Sequence, residues 1–184
     1  MSSLSGAPDP ASWTAAEAAL APPLARLAHL FGALDARQGA APGLARRLAI
    51  EEAAALSWHL EARLPRDRLC LHLAGHGPMS GGDAPALART AWAVGRLGAE
   101  TGPDPADPAR FLGRPGSAAT AGWAACRARL RALHPITRAG AGWALWPGPA
   151  LDGALLAGRM AAAEARDGAR FLPLALAGGR ALVT

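Results

Sequence analysis

The chain has 184 residues, enough for one core of ordinary domain size. Hydrophobic residues make up 51% of it, but Ala and Leu dominate, Val and Ile are scarce, Tyr is absent and Phe numbers 3. Strong helix formers outweigh strand formers, which sets aside sheet-based folds and predicts an all-α protein. The formal charge is +5, from 19 basic residues, all of them Arg, against 14 acids.

An Arg excess suits an anionic partner such as nucleic acid or nucleotide. The arginines are scattered, however, which equally suits a composition that uses Arg wherever a cation serves. Cys70 and Cys126 show no metal spacing and are expected as buried thiols in a reducing compartment. The opening MSSLSGAPDP lacks a basic start followed by an apolar run, so no secretory leader is expected. No apolar run reaches the ~18 residues that cross a bilayer. These features predict a cytoplasmic protein with no membrane partner.

Residues 1–12, rich in Ser, Pro and Gly, read as a flexible tail, and residues 13–184 as a single helical domain. Ala15 to Leu20 is helical in pattern. Pro22 and Pro23 interrupt it and suit the first turn of a new helix running to about Arg37. Leu24, Leu27, Leu30, Phe31 and Leu34 share one face of that helix. After a turn from Gln38 to Gly43, a helical pattern runs from Leu44 to Arg63. Leu48, Ala55 and the run from Leu56 to Leu60 form its apolar side, and Arg46, Arg47, Glu51 and Glu52 its wet side.

Pro65 ends that helix, and a short one from Arg66 to Leu73 follows. A Gly-rich turn, Gly75 to Gly82, leads to Asp83, a fitting N-cap for a helix to about Leu97. The stretch GAETGPDPADP reads as a loop, with a short turn around Phe111 beyond it. Ser117 then caps a helix to Leu133. Pro147-Gly148-Pro149 breaks the chain before a helix from Ala150 to Arg166, and the tail FLPLALAGGRALVT is expected as one more turn on the core. The expected architecture is a compact bundle-like domain of seven or eight helices. Leu27, Leu30, Leu56, Leu60, Leu130 and Leu155 are its expected buried residues.

Two stretches might carry chemistry if their residues converge. In SWHLE, Ser57 and Glu61 stand four apart and share a helix face. A carboxylate on a rigid helix can hold an Arg of a facing element by a two-pronged hydrogen bond. The alternative is an exposed Glu beside Arg63 and an ordinary helix-interior Ser. In HPITRAGAGW, His134 stands before Pro135, Arg138, Gly140 and Gly142. Read as a loop, it sets a general base over glycines whose backbone N–H groups approach a phosphate. Read as a helix start, Pro135 opens a helix and the glycines are small contact points inside it. His29, His59, His72 and His76 show no metal spacing, and the six tryptophans are spread as core anchors are.

Together these stretches resemble the Fic family, helical proteins that typically transfer AMP from ATP to a hydroxyl side chain. The family mark is H-P-F-x-[DE]-G-N-G-R, and many members carry an inhibitory helix marked [ST]-x-x-x-E-[GN]. SWHLEA matches Ser57 and Glu61 but has Ala62 at the last position. HPITRAGAGW matches His134-Pro135 and a displaced glycine pair, with Arg138 at the acidic position and Trp143 at the Arg position. A second register sets Trp146 in place of the His, followed by Asp152-Gly153 and then Gly158-Arg159. The chain is also similar to a group of alphaproteobacterial proteins, plasmid-borne in rhizobia, with a degenerate Fic-like region followed by a helix-turn-helix.

The resemblance implies a catalytically inactive Fic-like domain, a binding or regulatory module with a protein partner or in a DNA-associated complex. It implies His134 as the catalytic position, Arg138, Gly140, Gly142 and Arg159 as ligand-binding, and Ser57 and Glu61 as regulatory. No metal set and no resident cofactor are expected on this reading. Two alternatives stand beside it. One is an active AMP or phosphoryl transferase using ATP and Mg²⁺ on protein hydroxyls; the other is a helical domain of unrelated structural role.

Overall fold

In this computed structural model the described residues are 10–41, 43–59, 63–76, 82–99, 103–104, 107–113, 123–146 and 150–165. Proline sets several of the helix starts: it stands in the first turn of α2 (Ala21–Ala40), α5 (Ala84–Leu97), α6 (Pro108–Leu112) and α8 (Pro135–Ala144). There its fixed φ fits and its missing N–H costs nothing. The other helices are α1 (Pro10–Ala19), α3 (Leu44–His59), α4 (Arg66–Leu73), α7 (Trp123–Leu130) and α9 (Ala150–Ala165). Among the described residues there is no strand, only an isolated bridge between Asp104 and Asp107. The fold is all-α.

The core is organised around α9. Every residue from Leu151 to Met160 is buried, the pattern of a helix enclosed on all sides. Its longest neighbour is α8, and α5 and α6 pack on it as well. A second layer is α3 against α5, with α4 beside both. Leu56, Leu69, Leu112, Leu155 and Leu156 fill the space between these helices. α2 lies on the outside, touching the core through Leu24, Leu27, Ala28 and Phe31. α1 reaches a smaller cluster, where Trp13 and Leu145 pack on Leu130, Leu133 and Ala141.

Several expectations are corrected. α1 begins at Pro10, so the last three residues of the expected tail are helical. Nine helices occur among the described residues rather than seven or eight, because the turn around Phe111 is α6 and HPITRAGAGW is α8. The turn at Phe111 closes as a helix because Asp107 accepts a hydrogen bond from the Arg110 N–H at 3.1 Å and Arg96 donates to the Phe111 carbonyl at 2.9 Å. Asp83 makes no capping bond; its carboxylate meets Arg68 at 3.4 Å. α3 ends at His59 and α7 at Leu130, both short of the expected ends.

Leu56, Leu130 and Leu155 are buried as expected, and Leu27 is partly so. Leu30 is 54% exposed, because the inward stripe of α2 follows 24, 27, 28 and 31 and leaves position 30 outside it. Glu52, expected on the wet side of α3, is 1% exposed. It stands three residues after Ala49 and four before Leu56, in the middle of the buried stripe. Leu60, Ser117 and the tail from Phe171 to Thr184 lie outside the described residues.

Urea denaturation separates the two leucine environments. Leu155→Ala is expected to cost about 2–5 kcal/mol by opening a cavity in the centre, and Leu30→Ala less than about 0.5 kcal/mol.

Candidate functional site

HPITRAGAGW folds as a helix with its entrance closed. His134 is the N-cap of α8, and its Nδ1 accepts a hydrogen bond from the Ile136 N–H at 3.3 Å. The His134 backbone N–H donates to Oε1 of Glu17, on α1, at 2.7 Å. These bonds serve groups that a helix start leaves without intrahelical partners. Arg138 turns back toward α7: its Nη2 donates to the Leu133 carbonyl at 2.7 Å and to the Arg131 carbonyl at 3.1 Å. A cation is favoured there, beyond the negative end of α7.

Gly140 and Gly142 therefore do not form the phosphate-cradling loop that one reading of the sequence offered. They lie inside α8, where backbone N–H groups run along the helix axis to carbonyls one turn back. Their smallness serves packing. A Cβ at Gly142 would sit 3.1 Å from the Ala157 Cβ and 3.2 Å from the Trp123 ring, tighter than ordinary contact.

In the second register the positions are structural too. Trp146 is buried edge-on against Trp123, with ring centroids 5.3 Å apart and planes at 71°. The Trp123 indole N–H points at the Met160 sulfur, 2.9 Å away. Gly153 faces Trp146 so closely that a Cβ would lie 2.6 Å from its side chain. Asp152 is buried in the first turn of α9, where the helix dipole favours a carboxylate.

Ser57 is buried near the end of α3. Its hydroxyl donates to the Ala54 carbonyl at 2.7 Å and accepts from the Leu64 N–H at 3.2 Å, which ties down the chain that leaves the helix. Glu61, the expected regulatory carboxylate, lies outside the described residues. Arg63 packs over the exposed Trp58 ring, 5.7 Å from its centroid. Arg159 is 3% exposed; its Nη2 donates to the Ala99 carbonyl at 2.6 Å, while Nε and Nη1 have no hydrogen-bond partner among the described residues. Burial pushes its pKa below the ordinary Arg value. The candidate residues thus serve separate junctions: His134 and Arg138 the α7–α8 turn, Ser57 the exit of α3, and Arg159 the exit of α5.

One feature escaped the sequence reading. A cavity of about 510 Å³ opens between α2, α3, α4 and α5, lined by Gln38, Arg46, Ala49, Leu73, Val94 and Gly95 among others. On its wall, Gln38 holds Nε2 and Oε1 away from solvent, with no hydrogen-bond partner among the described residues. An unpaired buried polar group costs about 1–3 kcal/mol, so this amide is poised to gain from a partner. The sequence reading put Gln38 in a turn, whereas α2 continues to Ala40. Gly95 was the available signal, since a glycine inside a helix weakens it unless packing or a ligand needs the space.

No helix among the described residues is long and apolar enough to cross a membrane. No family model, curated protein or solved structure matches the chain.

Two substitutions test these assignments by urea denaturation. His134→Ala is expected to cost about 0.5–2 kcal/mol through loss of the cap. Arg159→Met is expected to stay within about 1 kcal/mol of the parent, because it removes two unpaired buried donors along with one good bond.

Proposed function

We propose that this chain is a non-catalytic, Fic-like helical module that binds a ligand or protein partner and acts in regulation. The observation that supports this most is the engagement of Arg138. It stands where the motif it resembles has an acidic metal ligand, and its guanidinium is anchored on the Leu133 and Arg131 carbonyls. A cation held there opposes Mg²⁺, which prefers carboxylate and phosphate oxygens. His134 adds support, since its Nδ1 is engaged as a helix cap. A transfer reaction needs base, phosphate cradle and metal charge placed together. Association with DNA or a DNA-bound complex is part of the proposal; it rests on the sequence resemblance and is compatible with the charge of +5.

The test is incubation of the full chain with labelled ATP, Mg²⁺ and a mixture of cell proteins. The expected result is no labelled protein above background. Label that appears with the parent chain and disappears with His134→Ala would restore the transferase reading.

A further inference from the structure

We propose that the cavity between α2, α3, α4 and α5 binds a small amide-bearing monocarboxylate, such as an N-acylated apolar amino acid. Gln38 pairs with the amide and Arg46 with the carboxylate. This rests on the reading of the chain as a binding module and names the ligand class.

The size comes first. A volume of about 510 Å³ lies within the range of small-ligand pockets. The walls are small and mostly apolar: Ala45, Ala49, Leu73, Ala91, Val94 and Leu97. The space is real at the mouth, because a Cβ added at Gly43 or Gly95 meets nothing within 4 Å. Such walls favour an apolar body.

Gln38 adds the specific requirement. Its amide offers two donors and an acceptor, and neither Nε2 nor Oε1 has a hydrogen-bond partner among the described residues. A turn about its flexible side-chain bonds carries that amide toward the cavity. A ligand amide supplies the matching acceptor and donor at once, which a hydrocarbon or a lone carboxylate does not. Arg46 adds the charge. It lines the cavity, is exposed, and forms no ion pair among the described residues. It stands in the first turn of α3, which holds no acidic residue, so the helix dipole reinforces its positive field. One cation at the rim and one amide on the wall fit a monoanion with an internal amide.

The test is isothermal titration of the full chain with N-acetyl-L-phenylalanine, its methyl ester and 3-phenylpropionate. The acid with the amide is expected to bind saturably with a Kd below about 1 mM, more tightly than either control. Gln38→Leu is expected to weaken it about tenfold, the worth of one or two neutral hydrogen bonds, and to leave 3-phenylpropionate unchanged. Arg46→Ala should weaken the acid and not the ester, and Gly95→Leu, which fills the mouth, should abolish binding of all three. No saturable binding to the parent chain at about 10 mM overturns the proposal, as does equal weakening of all three probes by Gln38→Leu. Absent binding together with absent label transfer from ATP overturns the ligand assignment alone, whereas His134-dependent label transfer overturns the binding-module reading.

Discussion

Gly153 meets Trp146 across a gap with no room for a methyl group. That approach, repeated where Gly142 meets Ala157 and Trp123, lets α8 and α9 pack against each other closely. Much else follows from it. α9 is buried over ten consecutive positions because α8 covers one side while α5 and α6 cover others. Trp123 and Trp146 lock edge-on over the same contact, and the Trp123 N–H finds the Met160 sulfur on α9. Small residues bring the backbones together, and the large rings fill the space that remains.

This packing determines what the residues of HPITRAGAGW do. A phosphate loop needs backbone N–H groups free to face a ligand, whereas a helix at a packed interface turns them inward along its axis. Glycine serves either purpose, and here it serves the second. His134 and Arg138 flank the same turn and stabilise it from opposite directions. One caps the start of α8, and the other holds carbonyls at the end of α7. Glu17 adds a tie from α1 to that turn, 117 residues away in sequence. Capacity for recognition is instead found where packing is looser, under the outer helix α2, at the cavity that Gln38 and Arg46 line.

The sequence made the helix class legible because Ala, Leu and well-placed prolines act locally. The start of α5 and the whole of α4 fell where expected, since Pro65, Asp83 and Gly98 punctuate the chain without help from tertiary contacts. α8 was harder. A proline followed by spaced glycines suits both a loop and a tight helix contact, and only the neighbour across the interface decides between them. Glu52 was misplaced because a charge was read as a surface marker, although its spacing from Ala49 and Leu56 sets it on the buried stripe. The cavity was illegible for a related reason. It is the space left between four helices, and no local pattern encodes the amide of Gln38 losing its partners.

The account stands most directly on the Gly153–Trp146 contact, and a double-mutant cycle measured by urea denaturation tests it. Gly153→Ala is expected to cost about 1–3 kcal/mol in the parent chain through overpacking. In a Trp146→Leu background the same change should cost at least about 1 kcal/mol less, because the ring that the new methyl group strikes is gone. An equal cost of Gly153→Ala in both backgrounds would contradict the close α8–α9 approach on which the structural reading of HPITRAGAGW depends.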